Sequence, residues 1–118
     1  MDIKINLNNK QFKSTSNSEN GEVSSDTVFY YKQNGGIISA TYQGGSILQG
    51  QIIGKIFEDN HLEFAYQHIN KNDEIMTGKC ISYPKLNEDK KIIIEEYWEW
   101  TCRDKSKGQS TLIETGLV

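Results

Sequence analysis

Leu62-Glu63-Phe64-Ala65-Tyr66-Gln67-His68-Ile69-Asn70-Lys71-Asn72-Asp73-Glu74-Ile75-Met76-Thr77-Gly78-Lys79-Cys80-Ile81-Ser82 is two alternating runs around a polar break. Leu62, Phe64, Tyr66 and His68 share one face of the first run; Glu63, Ala65 and Gln67 take the other. A period of two belongs to a strand, because successive side chains leave a pleated backbone on opposite sides. Asn70 to Asp73 is turn chemistry: short amide and carboxylate side chains bond the backbone that carries them. The runs therefore form an antiparallel hairpin. Centred on residue 72, it places Tyr66 opposite Gly78 and His68 opposite Met76. Met76, Gly78, Cys80 and Ser82 then share the inner face with the first set.

The same pattern extends in both directions. Strands are expected near 2–7, 10–15, 27–33, 36–43, 46–57, 61–70, 74–83, 90–102 and 108–115. Turn residues separate them, among them Asn34-Gly35-Gly36, Gly44-Gly45 and Lys105 to Gly108. Helical periodicity is nearly absent. Short connections make consecutive strands antiparallel neighbours, hence a meander. A meander of eight to ten strands leaves two raw edges unless it closes on itself. The fold class is therefore all-β, a closed or nearly closed barrel, with residues 1–118 as a single domain.

In the run near 92–102, Ile92, Ile94, Glu96, Trp98, Trp100 and Cys102 alternate with polar or outward residues. A hairpin centred on residue 87 would set Gly78 opposite Glu96, Met76 opposite Trp98 and Cys80 opposite Ile94. In that register Cys80 and Cys102 are eight positions out of line, about 26 Å, where a disulfide needs Cα atoms within about 7 Å. In the 46–57 run, Leu48, Gly50, Ile52, Gly54 and Ile56 share a face. The inner glycines leave room for a bulky neighbour or a ligand. Outward Tyr30, Ile37, Ile81, Ile93 and Tyr97 suit self-association through the outer face.

Composition excludes several classes. Net charge is −3, and Arg103 is the only arginine among 13 basic residues. No basic face exists for nucleic acid, which favours arginine's planar grip. The longest uninterrupted aliphatic run is Ile92-Ile93-Ile94, far short of a membrane span. The N-terminus lacks the apolar core of a signal peptide, so two unpaired thiols in the cytoplasm are expected. Ser14 to Asp26 carries five serines and two asparagines. It reads as either a mobile lid over one barrel end or a solvated connection.

Glu96 is the residue to single out. It lies between Ile94 and Trp98 on an otherwise apolar face, and a buried carboxylate needs compensation. Tyr66 and His68 are its expected neighbours. Glu96 is then the polar anchor of a ligand's amine, hydroxyl or amide, with Trp98 and Trp100 as apolar walls. The alternatives are a structural hydrogen bond, a bulge that turns Glu96 outward, and general-acid chemistry. His61, expected at a turn, and His68 have no partner at metal-ligand spacing, so no metal or other cofactor is expected. Nucleophile, zinc and phosphate-loop motifs are absent.

Ser16 to Ser25, Tyr66-Gln67-His68-Ile69-Asn70, Met76-Thr77-Gly78-Lys79-Cys80-Ile81-Ser82 and Trp98-Glu99-Trp100-Thr101 resemble a family of short uncharacterised bacterial proteins. Some members carry the label N-acetylglutamate synthase. That label implies a phosphate-binding turn opening a helix, and Gln33-Asn34-Gly35-Gly36-Ile37-Ile38 sits instead in a hairpin with no helix after it. The implied fold is similar to the calycins (lipocalins and fatty-acid-binding proteins). Two functions follow as expectations: a module binding a small, partly apolar ligand inside the barrel, or a filled, self-associating barrel. An enzyme ranks third.

Overall fold

The computed structural model describes residues 5–117. Eight strands form one closed antiparallel barrel in chain order: β1 (Lys10–Asn17), β2 (Val28–Asn34), β3 (Ile37–Gly44), β4 (Ile47–Ile56), β5 (Leu62–Asn70), β6 (Ile75–Leu86), β7 (Ile92–Trp100) and β8 (Lys107–Leu117). No helix occurs among the described residues. β8 returns to β1, with Phe12 opposite Glu114 and Ser14 opposite Leu112. That seam removes both edges, so the all-β barrel is as expected, with eight strands.

The expected strand near 2–7 does not form over residues 5–7, and residues 1–4 lie outside the described residues. The chain crosses the barrel base there instead. Leu7 is fully buried, its N–H donating to Gln33 Oε1 at 2.9 Å, and Ile5 N donates to Asn60 Oδ1 at 3.2 Å. An apolar side chain thus plugs one end.

Three hairpins share one turn. Phe57 to His61, Asn70 to Glu74 and Asn87 to Lys91 each have a backbone bond between their outer residues, with Asn60, Asp73 or Lys90 at positive φ. This is the three-residue hairpin loop with a left-handed third residue. Asn70 Oδ1 accepts from Asn72 N and Glu74 N; Asn87 Oδ1 accepts from Asp89 N and Lys91 N. Removing both acceptances with Asn87→Ala should cost about 1–2 kcal/mol. A urea midpoint unchanged from wild type would show that the side chain does not hold this turn.

The asparagine turns decide the registers. The hairpin after Asn70 centres on residue 72, and Tyr66 faces Gly78 as expected. The hairpin after Asn87 centres on 89 rather than 87. Gly78 therefore faces Trp100, Cys80 faces Trp98 and Ser82 faces Glu96. Moving the centre by two residues moves each pair by four, which corrects the expected partners without turning any side chain to the other face. Cys102 lies beyond β7, half-buried, its sulfur accepting from Thr77 N at 3.4 Å. It is four positions out of line with Cys80, roughly 13 Å, and both cysteines are free.

Leu48 is a second correction. A bulge between Ile47 and Gln49 shifts the register, so Ile47 is buried and Leu48 is half exposed. Gly50, Ile52, Gly54 and Ile56 keep the inner face. The interior is otherwise the alternating set: Phe12, Phe29, Tyr31, Ile38, Tyr42, Phe64, Met76, Ile94 and Leu112 among others.

Candidate functional site

Antiparallel order puts the β1–β2, β3–β4, β5–β6 and β7–β8 connections at one end, the mouth. Residues 18–27 fold across it rather than into solvent. Ser18 N donates to Gln109 O, and Asn20 Nδ2 donates to Lys107 O and Ser106 Oγ. Trp100 Nε1 donates to Asn20 O at 3.0 Å, and Ser46 Oγ to Glu22 O at 3.0 Å. Gly21 lies on the Trp98 ring; a Cβ there would be 2.7 Å from Cζ2. Of the expected Ser14 to Asp26 stretch, Ser14 to Asn17 belong to β1, and the remainder lies over the mouth.

Beneath the lid is a cavity of about 40 Å³. Glu96, Tyr66, His68, Trp98 and Trp100 all line it, so the five expected site residues are brought together. Tyr42, Ser110 and Phe29 are among the other wall residues, and Gly21, Glu22 and Val23 line it from the lid. The volume is room for one or two water molecules, far below the several hundred Å³ of a preformed small-molecule pocket. With the lid seated, the barrel is nearly full.

Glu96 is buried on β7 between Ser82 and Ser110. It has no hydrogen-bond partner among the described residues. Burial alone raises its carboxyl from 4.5 to about 8. Tyr66 is not its donor: the hydroxyl of Tyr66 reaches Glu99 O at 3.5 Å, and its ring packs on Trp100, centroids 5.8 Å apart. The slipped register causes this, because Trp100 rather than Glu96 stands across Gly78. Tyr31 Oη, also deep in the barrel, is the one fully buried side-chain polar atom without a hydrogen-bond partner among the described residues. Burial first, then the Glu96 charge, raises the Tyr31 hydroxyl.

His68 belongs to a different set from the one expected. Its ring is almost wholly buried, with Nε2 2.7 Å from Glu22 Oε1 and Nδ1 2.8 Å from Tyr42 Oη. A carboxylate only accepts, so Nε2 donates. Asn70 Nδ2 donates to the same carboxylate at 3.1 Å. Glu22 thus bridges lid and barrel. Burial raises the hydroxyls of Tyr42 and Tyr66 well above the usual phenol range, so both remain protonated donors at neutral pH. Trp98 Nε1 is spent on Ser110 Oγ at 3.0 Å, leaving the indole faces as walls.

His61 sits in its expected turn at the opposite end, stacked on Phe57 and flanked by Asp59 and Glu63, whose hydrogen bonds raise its imidazole. Among the described residues, no group of three or more His, Cys, Asp or Glu side chains is placed to hold a metal ion. No helix of the described residues is long and apolar enough to cross a membrane.

The model of one protein family, described as avidin-like protein, matches residues 5–115. No curated protein matches the chain.

Proposed function

The chain belongs to the avidin-like protein family, a calycin-fold family, and on that premise we propose that it binds a small, partly apolar ligand inside the barrel, with Glu96 as anchor. The observation that carries this reading is a buried carboxyl on the cavity wall with no hydrogen-bond partner among the described residues. A group with a carboxyl pKa of about 8 is neutral at pH 7 and offers one donor and one acceptor. That complements a hydroxyl or amide better than an ammonium. Trp98 and Trp100 supply flat apolar faces for the ligand's body, with Tyr66 and His68 beside them. The ligand enters by displacing residues 20–23, because the space beneath them is too small for it.

Benzamide, a flat amide on an apolar body, is the test probe, read by tryptophan fluorescence. Saturable binding to wild type is expected. Glu96→Leu should weaken it by about 5- to 150-fold, the range for an anchor worth about 1–3 kcal/mol. Equal binding by the variant, or no saturation with either protein, would defeat the reading.

Self-association is the second reading, favoured by exposed Ile37, Ile53 and Ile75 on the outer wall. A concentration-dependent sedimentation coefficient would support it. The two free cysteines favour a cytoplasmic protein, and neither nucleic acid nor a cofactor enters the proposal. Acetyl transfer does not enter it either, since among the described residues no helix follows a glycine turn to cradle phosphate.

A further inference from the structure

Residues 20–22 meet the barrel as a bound molecule would. An amide carbonyl, Asn20 O, accepts the indole N–H of Trp100 at 3.0 Å. The backbone at Gly21 lies against the face of Trp98, so closely that a side chain there would collide with it. Two residues on from the carbonyl, the Glu22 carboxylate takes hydrogen bonds from His68 Nε2 at 2.7 Å and Asn70 Nδ2 at 3.1 Å. The imidazole is fixed at its opposite nitrogen, Nδ1, by Tyr42 Oη at 2.8 Å, so the Nε2 donor is aimed before anything binds. Asn70 is fixed by its own turn, its Oδ1 accepting from Asn72 N and Glu74 N. These two donors belong to β5. The carboxylate they hold belongs to a loop whose Glu22 side chain is a quarter exposed, while that of His68 is 1% exposed.

We infer that His68 and Asn70 form a carboxylate-binding site at the mouth, which the chain fills with its own Glu22 as a stand-in for the charged end of a ligand. The inference rests on the reading of the barrel as a binder and adds the ligand's class: a small acid with an amide carbonyl near its carboxylate. Such an acid replaces both Asn20 O on Trp100 and Glu22 on His68, and the lid must leave for it to enter. Glu74 also accepts from Asn70 Nδ2, at 2.9 Å, and is itself paired with Arg103, so its charge does not stand alone against an incoming anion. The loop competes as an intramolecular ligand at high effective concentration, which lowers the apparent affinity for any free acid.

Acetate alone tests the site, because Glu22→Ala empties it. Binding is read from the His68 imidazole resonances, at constant ionic strength against chloride. Saturation is expected in Glu22→Ala at an acetate Kd at least tenfold below that of wild type. Adding Asn70→Ala should raise that Kd again by about fivefold or more. Equal acetate response in wild type and Glu22→Ala, or a response that chloride reproduces, would overturn the inference. Should Glu22→Ala fold poorly, Glu22→Gln serves: it keeps an acceptor for His68 but loses the charge, and acetate should compete with it more readily than with Glu22. The same Glu22→Ala protein should bind benzamide at least fivefold more tightly than wild type, the lid being unlatched. Acetate saturation without any benzamide binding would remove the interior reading and leave the mouth site; benzamide binding without acetate saturation would remove the mouth site alone.

Discussion

Glu96→Gln is expected to become more stable than wild type as pH rises, by on the order of 4 kcal/mol between pH 4 and pH 8. Burial holds the folded carboxyl at about 8, against 4.5 for an exposed one. Between those values the native state keeps a proton that the unfolded chain has released. Stability therefore falls with rising pH at about 1.4 kcal/mol per unit, and levels off above the folded value. Below 4.5 both states are protonated and the penalty vanishes. Glutamine has the shape of the neutral acid and cannot ionise, so the slope disappears. Other titrating groups are common to both proteins and cancel in the difference. Urea midpoints at pH 4, 6 and 8 measure it; parallel curves for the two proteins would mean that Glu96 ionises freely in the folded state.

Gly54→Ala should lose about 3 kcal/mol or more, a large share of a small barrel's stability. A Cβ at Gly54 would overlap Glu63 O and Phe64 Cβ, and would lie 2.6 Å from Phe64 Cα. These belong to the backbone and first side-chain atom of the neighbouring strand, so no rotamer change relieves the clash. β4 and β5 would have to separate along their ladder. Gly36→Ala is the matched control: its added Cβ meets nothing nearer than Ile56 O at 3.7 Å, ordinary contact. Equal midpoints for the two variants would show that β4 shifts at no cost.

Alternation made the barrel and its faces legible, because parity alone decides which side chains point inward. Glu96, Trp98 and Trp100 were placed inside for that reason, and they are inside. Parity does not distinguish registers an even number of residues apart. Gly78 was thus expected against Glu96 and stands against Trp100. Asn87 carried the missing signal: it does in its turn what Asn70 does in the other, and Asn70 precedes its hairpin centre by two. Leu48 was misplaced because a bulge breaks the count within a strand. Glu22 was out of reach for another reason. No periodicity ties a loop carboxylate to a histidine 46 positions away; that contact exists only once the mouth has been built. Tyr31 was likewise unremarkable as one more inward aromatic, until its hydroxyl proved to lack a partner.

The seam between β1 and β8 also governs the order of assembly. Each hairpin needs only the residues on either side of its turn, and such loops close in microseconds. Lys10 and Glu114, which pair across the seam, are 104 positions apart. Until they meet, the chain is a curled sheet with two raw edges, able to pair with each other or with the edges of another copy. Refolding should therefore have a late, concentration-sensitive step, and a weakened seam should direct molecules into exchanged strands rather than into unfolded chain.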